Sequence, residues 1–121
     1  MIQVASLKVA LLQMASCGPD QPANLEKGER FCREARAMGA DIALFPEMWS
    51  NGYTLPETDS PAGRAAWAAQ AIGPDDRFVT HFRALARELD LAIAVTYLER
   101  WEPAPRNSVS IIGRLWTVGG D

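Results

Sequence analysis

Short, nearly continuous apolar runs alternate along this chain with longer segments in which apolar residues recur every three or four positions. Runs of that length read as buried strands, and the wider spacing reads as helices with one buried face. The first run, Leu7 to Met14, closes at the turn signal Cys17-Gly18-Pro19-Asp20. Asp20 then caps a helix with Pro22 in its first turn, in which Leu25, Gly28, Cys32 and Ala35 share a face and Gly39 marks the end. Asp41 to Pro46 is the second strand, and it must stop at Pro46 because proline cannot continue a central ladder.

From Met48 to Ser60 the chain is a loop, marked by Asn51-Gly52, Pro56 and Ser60-Pro61 and unusually long for a connection of this kind. The alanine-rich stretch Ala62 to Ala71 reads as a short helix. Phe78, Val79, Phe82, Leu85, Ala86 and Leu89 then line one face of a longer helix whose other face carries Arg77, Arg83, Arg87 and Glu88. Leu91 to Leu98 is the third strand. A proline-broken loop from Glu99 to Arg106 leads to the fourth, Ser108 to Ile112. The expected order is therefore β-α-β-(short α)-α-β-β, an α/β protein. Its sheet is mainly parallel, and its last two strands, joined without a helix, form an antiparallel pair.

Composition narrows the function classes. The 121 residues hold 12 Lys+Arg against 15 Asp+Glu, with 48% hydrophobic residues, as expected of an ordinary globular unit. The acidic balance and the lack of a basic run argue against nucleic acid as a partner. No stretch approaches the roughly 20 uninterrupted apolar residues of a membrane span. Cys17 and Cys32 are too few and too far apart for a zinc site or a disulfide scaffold, so no metal is expected and a reducing cytoplasm fits best. Lys8 interrupts the apolar start and no positive charge precedes it, the reverse of an export signal.

Glu47 is the foremost candidate for chemistry, because open α/β sheets place their sites at the carboxyl ends of strands. Phe45, Pro46, Met48 and Trp49 surround it in sequence, and a carboxylate desolvated among them would titrate closer to neutrality. Trp49, Asn51 and Tyr53 are expected either to shape a substrate pocket beside it or to pack the loop. Asn107 reads as a hydrogen-bonder at a strand start. His81 reads as a boundary residue of the long helix, Cys17 as a loop thiol and Cys32 as a core residue.

The stretch Gly39-Ala40-Asp41-Ile42-Ala43-Leu44-Phe45-Pro46-Glu47-Met48-Trp49-Ser50-Asn51-Gly52-Tyr53 closely resembles the first signature of the nitrilase, or carbon-nitrogen hydrolase, superfamily. The Val9 to Met14 strand with Gln13, Asn24-Leu25, the Leu91 to Tyr97 strand and Arg106-Asn107-Ser108 occur in that family's order and approximate spacing. The resemblance implies an αββα sandwich and a Glu-Lys-Cys triad that cleaves a non-peptide amide, nitrile or N-carbamoyl bond without a cofactor. Glu47 matches the general base. It also implies homo-oligomers of the full-length protein.

The chain departs from that pattern in one respect. Its only lysines, Lys8 and Lys27, and both its cysteines precede Glu47, whereas the family's lysine follows the strand opening at Asn107 and its nucleophile lies later still. The tail from Gly113 departs from the expected continuation, and Arg114 does not stand in for the lysine. Residues 1–121 therefore read as the first half of the αββα sandwich, a mixed sheet with helices on one face, truncated before the lysine and cysteine and inactive alone. Such a sheet leaves one apolar face uncovered, so self-association or aggregation is expected. The alternative is a non-catalytic α/β interaction module.

Overall fold

The computed structural model describes residues 6–113. The tail from Arg114 onward, which holds most of the stretch expected to depart from the resembled pattern, lies outside the described residues, as do residues 1–5. A four-stranded sheet runs in the order β1 (Val9–Leu11), β2 (Ile42–Leu44), β3 (Ala92–Glu99) and β4 (Arg106–Ile112). The first three strands are parallel and β4 is antiparallel to β3. Among the described residues, helices α1 (Gln21–Ala37), α2 (Pro61–Ala68) and α3 (Arg77–Leu89) complete the order, with a 3-10 turn at Trp49–Asn51. Among the described residues no helix is long and apolar enough to cross a membrane.

Local chemistry sets most boundaries. The Asp20 carboxylate accepts the Ala23 N–H at 3.1 Å and starts α1. Gly39, at φ 88°, lets the chain turn away after Met38. The apolar face of α3 is buried as expected, except that Leu89 is only half-buried. On α1 the fully buried residues are Asn24, Gly28, Cys32 and Ala35, with Leu25 at the margin.

Several elements differ in extent from the sequence reading. β1 and β2 are three residues each rather than eight and six, because Pro46 ends the ladder and an edge strand can pair only as far as its neighbour runs. α2 stops at Ala68, after which the chain bends so that Ile72 accepts and donates across the end of β3. β4 begins two residues early, at Arg106.

Strand alternation divides the sheet into two unlike faces. Ala43, Ile93, Val95 and Tyr97 point toward α1 and α3 and join Phe45, Trp49, Phe78 and Phe82 in the buried core. Gly28 lets α1 approach closely: a Cβ there would stand 2.6 Å from a Phe45 ring carbon. Among the described residues the opposite face is largely bare, covered only at its Leu98 end by Met48, Ala71 and, from α2, Trp67. Val9, Leu11, Leu44, Val109 and Ile111 lie on it exposed, Leu11 by 62% and Ile111 by 56%.

Candidate functional site

Beyond Leu44 the chain leaves the sheet through Phe45, Pro46 and Glu47, and Met48 then adopts a left-handed backbone, φ 51°. Few non-glycine residues take this conformation, which reverses the chain sharply at this point. Phe45 turns into the core against Phe82, with ring centroids 5.0 Å apart, while Met48 packs with Ala71 and Leu98 in a small satellite cluster.

Thr96 holds this reversal. It lies on the uncovered face of β3, almost fully buried, and its hydroxyl donates to the Pro46 carbonyl and accepts the Trp49 N–H at 3.1 Å. One side chain thus clamps the backbone on both sides of Glu47. Ser50 adds a second tie, accepting the Leu98 N–H at 3.0 Å. Asn24 adds a third from α1. Its amide donates to Gly18 O at 2.8 Å, its Oδ1 accepts from Cys17 N at 2.8 Å, and its carbonyl accepts the Trp49 indole N–H at 2.7 Å.

Glu47 itself is exposed. The apolar neighbours that were expected to desolvate it leave it in the open: Phe45, Met48 and Trp49 are themselves buried, while the carboxylate is not. The carboxylate instead stands at the upper edge of the uncovered sheet face, where Asn107 Nδ2 donates to Oε2 at 3.0 Å. Leu44, Phe45, Glu47, Thr96, Asn107, Ser108 and Val109 line an open hollow of about 360 Å³ there.

Asn107 reaches Glu47 because of what flanks it. On the helix-bearing face Ser108 donates to Glu99 Oε1 at 2.6 Å and Arg106 Nε donates to the same oxygen at 3.0 Å. These two bonds, the Ser108 hydroxyl foremost, hold the Glu99 carboxyl below the usual carboxylate range. The Arg106 guanidinium also stacks 3.4 Å over the Trp101 ring. With residues 106 and 108 committed to one face, residue 107 must point to the other.

The other residues singled out in the sequence fall elsewhere. Trp49 and Asn51 are each 1% exposed, and the Asn51 amide donates to Thr54 O and to Gln70, both at 3.0 Å. Among the described residues, Asn51 Oδ1 is the buried side-chain polar atom without a hydrogen-bond partner. Tyr53 is exposed at φ 59°. The structure therefore brings Asn107 and Thr96 to Glu47 and turns Trp49 and Asn51 inward, beneath the reversal. Thr96 carried a signal in the sequence, as a hydroxyl inside an apolar strand needs a partner.

Both lysines are bonded to backbone: Lys8 Nζ donates to Met38 O at 3.3 Å, and Lys27 Nζ to Ala15 O at 2.7 Å. Burial, with the Glu29 charge second, pushes the Cys32 thiol up to about 12, which makes it inert as a nucleophile near neutrality. Cys17 is exposed. His81 bonds Glu29 at 2.7 Å and so joins α3 to α1. Among the described residues no three His, Cys, Asp or Glu side chains gather into a metal set.

The frame of the site is thus an α/β layer: a mixed sheet, three strands parallel and one antiparallel, with a glutamate held just beyond the carboxyl end of β2. The carbon-nitrogen hydrolase family profile matches residues 8–117, and the chain belongs to that family. It is 31% identical over 109 residues to an N-carbamoylputrescine amidase of Oryza sativa subsp. japonica, covering 89% of this chain and 34% of that protein. It is 29% identical over 100 residues to a bromoxynil-specific nitrilase of Klebsiella pneumoniae subsp. ozaenae, covering 78% and 29%. Among solved structures, the NitN amidase of Nesterenkonia sp. AN1 superposes with a TM-score of 0.68 at 22% identity, over 88% of this chain and 39% of that one. The chain thus spans about a third of the length of the curated relatives it matches.

Proposed function

We propose that this chain supplies the general base, Glu47, of a carbon-nitrogen hydrolase acting on a non-peptide amide, nitrile or N-carbamoyl bond through a Glu-Lys-Cys triad. The observation that carries this reading is the placement of Glu47: at the carboxyl end of β2, clamped in the backbone by Thr96, and facing an open hollow. The relatives' names, N-carbamoylputrescine amidase and nitrilase, bound the substrate class.

In the proposed reaction on an amide, Glu47 takes the proton of a thiol, whose ordinary pKa of about 8.5 leaves it mostly protonated at neutral pH. The sulfur attacks the carbonyl carbon, and the tetrahedral oxyanion is stabilised by the lysine ammonium. The intermediate collapses to a thioester as the proton passes to the leaving nitrogen and ammonia or an amine departs. Water then attacks the thioester with Glu47 again as base, which releases the acid and restores the thiol. Because the base acts on the thiol rather than on the substrate, the same first step serves an amide and a nitrile.

In this reading the lysine and the thiol lie outside these 121 residues. No lysine or cysteine follows Glu47 in the 121 residues, and Lys8, Lys27 and Cys32 are committed as described. We therefore read the 121 residues alone as inactive and the uncovered sheet face as the seat of a second layer that brings both groups. Trp49, Asn51 and Tyr53 belong to the same site. The first two support the reversal from beneath, and Tyr53, exposed but not among the residues lining the hollow, is a proposed substrate contact. The two unpaired thiols favour the cytoplasm.

Ammonia release from a panel of ω-amides, nitriles and N-carbamoyl amino acids tests the reading. Release by the chain once it is completed, abolished by Glu47→Gln, supports it, and turnover by the isolated 121 residues contradicts the inactivity. A second reading, an interaction module, draws on the same uncovered face, which exposes five large apolar side chains. Sedimentation separates the two consequences. Self-association is expected of the isolated chain, and a stable, cooperatively unfolding monomer would refute it.

A further inference from the structure

We propose that Asn107 is a positioning residue for Glu47: its side-chain amide fixes one carboxylate oxygen, Oε2, so that Oε1 is the atom left to accept a proton. The inference rests on the reading of Glu47 as the base and adds the device that orients it. Glu47 is exposed on a reversal, where a glutamate with three rotatable side-chain bonds would otherwise sample several rotamers. The 3.0 Å bond from Asn107 Nδ2 selects one of them across 60 residues of sequence. Among the described residues Oε1 has no hydrogen-bond partner.

The support behind Asn107 makes the selection firm. Its neighbours Arg106 and Ser108 both grip Glu99 on the helix-bearing face, and the Asn107 backbone is paired with Leu98 of β3. Leu98 is in turn bonded through its N–H to Ser50, on the far side of the reversal that carries Glu47. The donor and the acceptor are thus tied to the same strand from two sides, the kind of support needed to hold a base within the roughly 0.5 Å that productive geometry allows. An amide suits the role because it donates without carrying charge. A lysine or arginine at this position would stabilise the ionised carboxylate and so weaken it as a base.

Nuclear magnetic resonance of the isotope-labelled protein, completed by the segment that covers the sheet, tests the proposal. The Asn107 side-chain amide protons are expected to shift across the carboxylate titration range several-fold more than those of Asn24 and Asn51, and Glu47→Gln abolishes that step. The Glu47 methylene protons are expected to show unaveraged couplings, which collapse to averaged values in Asn107→Ala. Asn107→Thr, which keeps strand propensity but lacks the amide, gives the same collapse. Asn107 amide protons indifferent to both pH and Glu47→Gln, or Glu47 couplings unchanged in both Asn107 variants, would overturn the proposal.

In the completed protein, kcat for a short aliphatic amide falls by about tenfold or more in Asn107→Ala, with KM within about twofold of its original value. A kcat unchanged in Asn107→Ala but lost in Glu47→Gln refutes the positioning role alone. Hydrolysis that survives Glu47→Gln refutes the reading of Glu47 as the base, and the spectroscopic contact is then judged on its own result.

Discussion

Replacing Thr96 by valine keeps the shape of the side chain and removes both hydrogen bonds that clamp the turn around Glu47. The Trp49 N–H is buried, and with its acceptor gone it is left unpaired, at a cost of about 1–3 kcal/mol. The Pro46 carbonyl is only half-buried and regains water, so its lost bond costs about 1 kcal/mol or less. The sum is about 1–4 kcal/mol, a large share of the roughly 5–15 kcal/mol that holds a domain folded. Urea denaturation followed by tryptophan fluorescence reads it directly, because Trp49 reports the turn. Thr96→Ser is the control: it keeps the hydroxyl and gives up one methyl, at about 1 kcal/mol. Thr96→Val within about 0.5 kcal/mol of the parent, or no more harmful than Thr96→Ser, would refute the clamp.

Other expectations follow from the packing and the charges. Gly28→Ala pushes a methyl into the Phe45 and Phe82 rings, and overpacking of about 1–3 kcal/mol outweighs the roughly 0.5–1 kcal/mol that alanine adds to a helix, so denaturation shows net destabilisation. A disulfide reagent at neutral pH is expected to titrate one thiol in the native chain, the exposed Cys17, and two after unfolding, because the Cys32 thiol is buried and held at about 12. The His81 hydrogen bond foremost, and Arg33 with it, hold the Glu29 carboxyl below its ordinary 4.5 against the opposing effect of burial. A depressed carboxylate contributes stability that is present above its unfolded value and lost as pH falls through the folded one. The link between α1 and α3, which also includes the Arg33 pairs with Glu29 and Glu88, therefore weakens below about pH 4.5. Urea midpoints against pH are expected to fall more steeply in that window for the parent than for Glu29→Gln.

How much of this was readable in the sequence depends on the distance over which each feature is decided. Helix starts and stops are local: Asp20, Pro22 and Gly39 announce α1 through groups within a few residues of each other. The strands were legible as apolar runs, but their lengths were not, since β1 can be no longer than its pairing with β2 and β2 is cut by Pro46. Glu47 stood out through its position at a strand end and through the family pattern around it. Its surroundings did not follow from its neighbours, because the left-handed Met48 sends the apolar residues inward and leaves the carboxylate outside. Trp49 and Asn51 are turned inward by the same reversal. The contact with Asn107 spans 60 residues and depends on the register of β4, which no local pattern encodes.

The uncovered sheet face ties the fold to the chemistry. Strands rich in apolar residues on both sides announced it, and the exposed Leu11, Leu44, Val109 and Ile111 form it. Glu47 and Asn107 stand at its upper edge, so a layer laid on that face would enclose the carboxylate and the hollow beside it together. Covering the apolar face and desolvating the base are one event in this account, and that is why activity is not expected before the layer is present.

Ammonia release from the amide, nitrile and N-carbamoyl panel, compared between Glu47 and Glu47→Gln, is the most direct test. The account predicts no release from the 121 residues alone, and release from the chain completed by the segment that supplies lysine and thiol. It also predicts that Glu47→Gln lowers the completed rate by about 10²–10⁴-fold, the range typical of a general base. Undiminished hydrolysis by the completed Glu47→Gln protein would contradict the account.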